Sequence, residues 1–369
     1  MPPRLPADES FVDGFEEERG PQRIVFGWGR AADLASEVDL LSAGRVLLVS
    51  ERSTSAIAED VQDRLGSRVV GCIPRVRPHV PRANVDSAAD LVRSTDADLV
   101  VTIGGGSATG LGKALALETS VRLIAVPTTY AGSEVTAVYG TTHGGRKHTG
   151  SDDRVLPRTV VYDPELSVSL PARVTASSGM NAIAHCVEGL YAENSAKSVD
   201  EMADQGIRVL VDSLPSCVAK PDDRTGRGGA LYGSYLAGGV VASAGMALHH
   251  RICHVLGGTF GLAHGDANAV VLPHVVAFNQ PFAEQAIARI AAAMGTHDAA
   301  LALFQFAGSM GAPTSLRELG MQATDFERAA DLTLERNGFN PRPVTRDAVL
   351  SILHAAFEGN EPHEYLEEE

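Results

Sequence analysis

Short apolar runs alternate with amphipathic segments along the first 165 residues of the chain. Six runs are rich in Val, Ile and Leu, and they lie at residues 22–26, 45–50, 68–73, 98–105, 122–129 and 158–163. The first four gaps hold segments with apolar residues at helical spacing, such as AADLASEVDLL and NVDSAADLVRS. Near-continuous apolar strands separated by helices are typical of a parallel sheet that is covered on both faces. The pattern therefore predicts a parallel-sheet α/β domain over residues 21–165.

The pattern changes after Asp163-Pro164. The later residues are rich in Ala and Leu, with long segments of 3.6-residue period and few strand-like runs. Gly and Pro residues separate these segments. We therefore predict an all-helical domain over residues 166–360. Residues 1–20 are predicted to form a loose arm, and residues 361–369 a frayed acidic tail.

Charge and composition argue against several classes of partner. The 369 residues include 31 Lys and Arg against 46 Asp and Glu, for a formal net charge of −15. This balance argues against nucleic acid and an anionic membrane surface as partners. No apolar run is long enough to span a membrane, and the first residues lack the apolar stretch of a signal peptide. Four scattered cysteines without a CxxC pair indicate free thiols, so we expect a cytoplasmic protein.

A glycine-rich turn follows the fourth apolar run and opens a predicted helix. Its residues are Gly104, Gly105, Gly106 and Ser107. Glycines let the backbone approach a ligand, and a helix N-terminus offers unpaired N–H groups to a phosphate. We therefore predict a phosphate site rather than a simple tight turn. Glu51, at the end of the second run, could accept hydrogen bonds from a ribose 2′-hydroxyl; the alternative is a solvated loop carboxylate.

Two further loops contain candidate binding residues. The loop at residues 127–134 is rich in hydroxyl groups, which can line a cofactor, although a simple turn is the alternative. Its hydroxyl-bearing candidates are Thr128, Thr129, Tyr130 and Ser133. Downstream, Arg146, Lys147 and His148 form a cationic cluster. Such a cluster suits a dicarboxylate or a pyrophosphate, with an ordinary surface turn as the alternative.

The helical half contains a cluster of histidines. Asn181 and His185 are four residues apart, as are His250 and His254, so each pair shares one helical face. His264 follows in the same region. An Asp and a His at this spacing with two further His is a metal-ligand arrangement, but Asn is a much poorer ligand than Asp. The cluster predicts an active site in this domain.

The motifs together resemble those of the iron-containing alcohol dehydrogenase family. GGGS, PTTYAGSE, VVYDPEL, SGMNAIAHCVE and H-x3-H-x9-H occur in the order seen there, over roughly residues 20–360. The resemblance implies a Rossmann-like domain followed by a helical domain, a fold similar to those of dehydroquinate synthase and glycerol dehydrogenase. It implies that His254 is an additional active-site histidine and that the family's metal ligands match Asn181, His185, His250 and His264. It implies a dinucleotide site made by Glu51, Gly104, Gly105, Gly106, Ser107, Thr128, Thr129, Ser133 and Lys147.

Two positions depart from the metal-dependent pattern of that family. Asn181 replaces the metal-binding Asp, and Gly110 replaces the acid of GGGSxxD. TTYAGSE, GRKHTG and GMNAIAHCVE instead resemble one branch, the maleylacetate reductases. This branch implies reduction of the C=C bond of maleylacetate, or of substituted maleylacetates, to 3-oxoadipate in bacterial degradation of aromatic compounds. It further implies NADH as the reductant, with NADPH as the alternative, and a homodimer that needs no metal.

The resemblance also suggests a role for each polar residue. His254 and His250 would stabilise or protonate an enolate, since an imidazole can do so without a metal. Arg146 or Arg251 would pair with a substrate carboxylate, because Arg offers a bidentate fork. Tyr130 would contact the substrate. The pocket would be shaped by the remaining polar residues of the cluster, Asn181, His185 and His264.

Two other functions stay open on the sequence alone. A metal-dependent alcohol or aldehyde dehydrogenase of the same family would carry tightly bound Fe or Zn. A non-catalytic nucleotide-binding protein would turn over no substrate. Oxidation of NADH in the presence of maleylacetate, with and without a chelator, tests the reductase; the content of Fe or Zn and the binding of NADH distinguish the two alternatives.

Overall fold

The structure, a computed structural model, describes residues 14–144, 146–336 and 338–363. Residues 1–13 of the predicted arm and residues 364–369 of the predicted tail lie outside this part of the chain. The chain divides into two compact units. The first unit contains the chain up to Leu170 together with Pro221–Gly238, and the second contains Pro171–Lys220 and the chain from Gly239 onward.

The first unit contains a seven-stranded sheet in the order β1-β2-β9-β6-β5-β3-β4. All neighbouring strands run parallel except β1, which is antiparallel to β2. Six of the seven strands coincide with the six apolar runs, so the predicted parallel sheet is confirmed. The strands are β1 (Phe15–Arg19), β2 (Gln22–Phe26), β3 (Val46–Ser50), β4 (Val69–Ile73), β5 (Leu99–Gly104), β6 (Arg122–Pro127), β7 (Val138–His143), β8 (Arg146–Ser151) and β9 (Thr159–Tyr162).

Three strands were not predicted by the pattern. Strand β1 has the sequence FEEER and pairs along the sheet edge, so residues 15–19 are not part of a loose arm. Strands β7 and β8 form a separate antiparallel hairpin whose side chains are exposed or only partly buried. An edge strand and an exposed hairpin cover little core, and so they need no apolar run.

Helices cover both faces of the sheet. Val46 and Leu48 of β3 belong to an apolar cluster that includes residues of α1 and α2, whereas Leu47 and Val49 belong to a second cluster with residues of α3 and α4. This alternation is the two-residue period of a strand that is buried on both sides. The four helices are α1 (Leu34–Leu40), α2 (Ser55–Leu65), α3 (Arg82–Ser94) and α4 (Gly106–Thr119).

The described part of the chain after β9 is helical, which confirms the prediction for this region. Its helices are α5 (Ala172–Tyr191), α6 (Lys197–Ala219), α7 (Arg224–Ala244), α8 (Leu248–Phe260), α9 (His264–Asn279), α10 (Glu284–Ala293), α11 (Ala299–Ser309), α12 (Phe326–Leu334) and α13 (Arg346–Glu358). One apolar core of the second unit is formed by residues of α8, α9, α12 and α13. Within the described ranges, no single helix has the length and apolar character of a membrane span, although α7 and α8 meet that test as a bent pair.

Candidate active site

The glycine-rich turn joins β5 to α4 in the first unit. Gly104 ends the strand with φ at 155°, and Gly106 begins the helix. A Cβ atom on Gly104 would lie 2.9 Å from the Cβ of Ala108 and 3.1 Å from Glu51 Cδ. Only glycine therefore fits at this position, and the turn lies where the sequence places a phosphate site.

Glu51 lies at the N-terminus of α4 rather than in solvent. Its Oε1 accepts hydrogen bonds from the backbone N–H groups of Gly105 (3.2 Å) and Ala108 (3.3 Å). Burial raises the pKa of this carboxyl group, whereas the two backbone hydrogen bonds lower it. A carboxylate thus occupies the helix end that would receive a phosphate. Oε2 is not engaged by these two hydrogen bonds.

The hydroxyl-rich loop packs against the glycine-rich turn. The backbone N–H of Thr128 donates to the carbonyl of Gly104 at 3.0 Å. Thr129 lies so close to Gly105 that a Cβ atom there would be 3.0 Å from the threonine side chain. Tyr130 is fully buried, and its hydroxyl accepts a hydrogen bond from Arg227 at 3.0 Å. The structure therefore brings both threonines to the turn, and it places Tyr130 in the interior of the first unit.

Lys113 holds the end of this loop, a role that the sequence analysis missed. Its ammonium donates to the carbonyl oxygens of Ser133 (2.5 Å), Thr136 (2.8 Å) and Val138 (2.7 Å), and it lies 3.0 Å from Thr136 Oγ1. The side chain is fully buried, and burial lowers the pKa of Lys113 to about 7. A lysine within the apolar helical segment LGKALAL was the available signal.

Lys147 lies on β8 beside a strained segment. It pairs across the hairpin with Thr142, whose hydroxyl donates to the carbonyl of His79 at 2.7 Å. His79 and Val80 adopt left-handed φ angles of 62° and 50°. Such angles are uncommon for residues other than glycine and are rarest for a β-branched residue such as Val80. Burial first, and then the charge of Lys147, lowers the pKa of His79. Arg146 and His148 are exposed on the same strand, so of the three predicted cations Lys147 is the one that packs inward.

Gly110 has a local explanation in the same segment. A Cβ atom on Gly110 would lie 2.9 Å from Val80 Cγ2. A contact that short is not tolerated, so the position has no room for the acid found in the family motif.

The predicted histidines come together in the second unit. His185 lies on α5, His250 and His254 lie on α8, and His264 begins α9. The ring centroids of His185 and His250 are 4.7 Å apart, and His264 lies 5.7 Å from His254 and 6.2 Å from His250. Asn181 is buried one turn before His185 on α5. All five predicted polar residues thus lie on three helices of one unit.

Glu188 is a buried carboxylate that the sequence analysis missed. Its Oε2 lies 2.6 Å from His250 Nδ1, and its Oε1 accepts from the backbone N–H of His249 at 2.8 Å. The side chain has no exposed surface, and burial raises its pKa. Glu188 follows His185 by three residues, so helical spacing alone puts the two on the same face of α5.

Burial favours the neutral form of two imidazoles in this cluster, those of His249 and His185. Burial, followed by the neighbouring His250, lowers the pKa of His249 to about 3. The same two causes lower the pKa of His185 well below its ordinary value. His249 Nε2 lies 3.1 Å from the carbonyl oxygen of Asn268. Neutral imidazoles are the form that binds metals and accepts protons.

Three of these residues form a group that can hold a metal ion. Ligand atoms of Glu188, His249 and His250 lie within 4.8 Å of one another, and all three residues are buried. One carboxylate and two imidazoles are donors that Fe²⁺ and Zn²⁺ accept. The residues present therefore fit a divalent metal.

Arg251 lies beside this group on α8. Its Nη1 donates to the backbone carbonyl of Arg336 at 3.1 Å. Its Nε and Nη2 are buried and have no hydrogen-bond partner among the residues that the structure describes. Burial lowers the pKa of this guanidinium, an effect that the charge of Glu188 opposes.

The chain is similar to known proteins over nearly its whole length. Residues 21–164 match the family described as iron-containing alcohol dehydrogenase, and residues 175–357 match the C-terminal part of the Fe-containing alcohol dehydrogenase family. A maleylacetate reductase of Burkholderia cepacia is 47% identical over 95% of this chain and 100% of that protein. Two crystal structures have the same fold. One is a maleylacetate reductase from Agrobacterium tumefaciens, with 41% identity and a TM-score of 0.87 over 94% of this chain and 98% of that chain. The other is an iron-containing alcohol dehydrogenase from Corynebacterium glutamicum, with 42% identity and a TM-score of 0.86 over 94% of this chain and 97% of that chain.

The expectation that no metal is needed is wrong. The matching family is described as iron-containing, and Glu188, His249 and His250 form a group that can hold an ion. That expectation depended on Asn181, which leaves the predicted ligand set without a carboxylate. Glu188 supplies a carboxylate from a later turn of the same helix, so the neutral Asn does not exclude a metal.

Proposed function

The chain belongs to the iron-containing alcohol dehydrogenase family, and from this membership we propose that it reduces maleylacetate with NADH. A hydride from NADH adds to the alkene carbon β to the ketone, and a proton adds to the α carbon. Maleylacetate becomes 3-oxoadipate, and NADH becomes NAD⁺. The observation that carries the proposal is the 47% identity with the B. cepacia maleylacetate reductase over 95% of the chain.

The hydrogen bond between Glu188 and His250 divides the work among the histidines. Glu188 Oε2 lies 2.6 Å from His250 Nδ1, so we assign the proton of a neutral His250 to Nδ1 and its lone pair to Nε2. That nitrogen accepts a proton and does not donate to an enolate. His254 is only partly buried, and its ring centroid lies 6.1 Å from that of His250. We therefore assign to His254 the hydrogen bond or proton delivered to the enolate oxygen, with Asn181, His185 and His264 shaping the pocket.

A divalent metal would be held by Glu188, His249 and His250. When bound, it supplies a Lewis acid that polarises the ketone oxygen of the substrate. The Asn268 carbonyl accepts from His249 Nε2–H and fixes the orientation of that ring, which leaves its Nδ1 for the metal.

The cofactor is assigned to the first unit. The backbone N–H groups of Gly106 and Ser107, which Glu51 does not engage, would bind the pyrophosphate, and Oε2 of Glu51 would accept from the adenosine ribose. These contacts favour NADH over NADPH, because the Glu51 carboxylate would repel the 2′-phosphate of NADPH. The other cofactor contacts are Gly104, Gly105, Gly106, Ser107, Thr128, Thr129, Ser133 and Lys147.

The substrate is a small dicarboxylate, and we place the enzyme in the cytoplasm as a homodimer. Arg146, Arg251 and Tyr130 are the candidate substrate contacts. The fully buried Tyr130 would act by holding the hydroxyl-rich loop.

The proposed function is tested by mixing the purified protein with NADH and maleylacetate and following the loss of NADH absorbance. Rapid oxidation that requires maleylacetate is expected, with formation of 3-oxoadipate. A protein that instead oxidises simple alcohols with NAD⁺ and leaves maleylacetate unchanged is a metal-dependent alcohol dehydrogenase. A protein that binds NADH but turns over neither is a nucleotide-binding protein.

A further inference from the structure

Arg251 presents two unused hydrogen-bond donors on one edge of its guanidinium group. Nη1 is occupied by the carbonyl of Arg336 at 3.1 Å. Nε and Nη2 are both buried and unpartnered among residues 14–144, 146–336 and 338–363. In a guanidinium group, the Nε–H and Nη2–H bonds point the same way and form a fork that matches the two oxygens of a carboxylate.

The acid whose charge acts on this arginine, Glu188, is already engaged. The charge of Glu188 raises the pKa of Arg251. The oxygens of Glu188, however, accept from the backbone of His249 and face His250 Nδ1. The fork therefore keeps a positive charge, partly removed from water, with no carboxylate bonded to it in the described part of the chain.

A purely structural role does not account for this arrangement. The single hydrogen bond to the Arg336 carbonyl could be made by a lysine or a glutamine, at a smaller loss of side-chain hydration. Leaving charged donors buried and unpaired is unfavourable unless a ligand completes them. Buried charged donors without a protein partner are typical of a binding site for an anion.

The fork is also correctly placed along α8. Arg251 follows His250 directly and precedes His254 by three residues, which puts Arg251 and His254 on neighbouring positions of one helix face. In maleylacetate, each carboxylate lies within two carbons of the enone. A carboxylate on Arg251 would therefore hold the enone close to His254.

We propose that the Nε–Nη2 edge of Arg251 is the binding site for one substrate carboxylate and selects carboxylate-bearing enones. This assignment depends on the function proposed above. It also decides between the two arginines considered from the sequence, since Arg146 lies exposed on the hairpin of the first unit.

The test compares Arg251→Lys and Arg251→Gln with Arg317→Lys. At position 251, lysine keeps the charge but loses the fork, and glutamine loses both. Arg317→Lys is the control, because Arg317 is an exposed arginine of the second unit that pairs with Glu358. We expect the KM for maleylacetate to rise about 10- to 100-fold in Arg251→Lys, the range for hydrogen bonds to a charged group, and further in Arg251→Gln. The dissociation constant for NADH should stay within twofold of wild type, and Arg317→Lys should match wild type in both.

Three results separate the explanations. An unchanged KM in both Arg251 variants overturns the carboxylate site. Weaker NADH binding with an unchanged KM for maleylacetate would assign the fork to a cofactor phosphate and also overturns it. A wild-type protein that does not reduce maleylacetate overturns the proposed function itself. In that case, calorimetric titration of wild type and Arg251→Lys with adipate still tests the fork: equal affinities contradict the site, and loss of binding in the variant supports it.

Discussion

Replacing Lys113 with methionine tests whether α4 holds the cofactor loop. The change keeps most of the apolar length of the side chain but removes the ammonium that bonds three carbonyl oxygens, those of Ser133, Thr136 and Val138. A buried acceptor that loses its donor costs about 1–3 kcal/mol. Part of that cost is recovered because the ammonium no longer has to be desolvated. The net loss in free energy of unfolding should therefore be about 1–3 kcal/mol, less than the sum for three separate acceptors.

Lys113→Met should also weaken NADH binding. Ser133 is a proposed cofactor contact, and a loop that is no longer held must be ordered when the cofactor binds. That ordering should raise the dissociation constant for NADH about tenfold, or about 1.4 kcal/mol. The titration with NADH is monitored by the quenching of the fluorescence of Trp28, the single tryptophan of the chain. Lys197→Met is the matched control, because the Lys197 side chain is 91% exposed on α6.

The pH dependence of stability provides a second readout for Lys113. Burial lowers the pKa of Lys113 from 10.5 to about 7, so between these values the unfolded chain binds a proton that the folded protein has released. Stability from this group therefore rises with pH across that window. The stability difference between wild type and Lys113→Met should be larger at pH 9 than at pH 7, by on the order of 2 kcal/mol. Urea unfolding at both pH values measures it.

Two outcomes would contradict this account of Lys113. A variant that is less stable but binds NADH like wild type would show that the lysine supports the fold and not the cofactor loop. A variant with unchanged stability at both pH values would show that the three hydrogen bonds contribute nothing.

Three further predictions concern the two candidate binding regions. His254→Ala should lower kcat for maleylacetate about 10²- to 10³-fold, because the imidazole is proposed to act on charge that develops in the transition state, and the dissociation constant for NADH should stay within twofold. An unchanged kcat with weaker NADH binding would give His254 a cofactor role. Glu51→Ala should raise kcat/KM for NADPH relative to NADH by about tenfold, since a carboxylate beside the ribose repels a 2′-phosphate; an unchanged ratio means that the acid does not reach the ribose. After chelation, wild type should take up Fe²⁺ or Zn²⁺ in a calorimetric titration, and Glu188→Ala should bind either ion about 10- to 100-fold more weakly; equal affinities would place the ion elsewhere.

The sheet could be predicted from the sequence because its strands are buried on both faces. Runs such as VLLVS of β3 must be apolar at every position, and that constraint is visible without a structure. Strand β1 and the hairpin of β7 and β8 are held by backbone hydrogen bonds, while their side chains face solvent at many positions. Backbone pairing leaves little trace in the side-chain pattern, so these strands could not be predicted.

The candidate site was predictable as far as helical spacing reaches. Residues four apart share a face, which was enough to group His185 with Asn181 and His250 with His254. The carboxylate was missed because it was sought four residues before His185, at Asn181. Glu188 lies three residues after His185, on the same face. Its approach to His250 depends on the packing of α5 and α8, which no local pattern reveals.

The contact between Gly110 and Val80 restricts how this enzyme could change over evolutionary time. An acid at position 110 would have to displace Val80. Val80 is fixed in its left-handed conformation by the hydrogen bond from Thr142 N–H to its carbonyl at 3.0 Å. A mutation to the family's usual acid would therefore be tolerated only after the segment around His79 and Val80 had been rebuilt. Variation at position 110 is thus expected to depend on the residue at position 80, so the effect of an acid there is set by a segment that is far away in sequence but in contact in the fold.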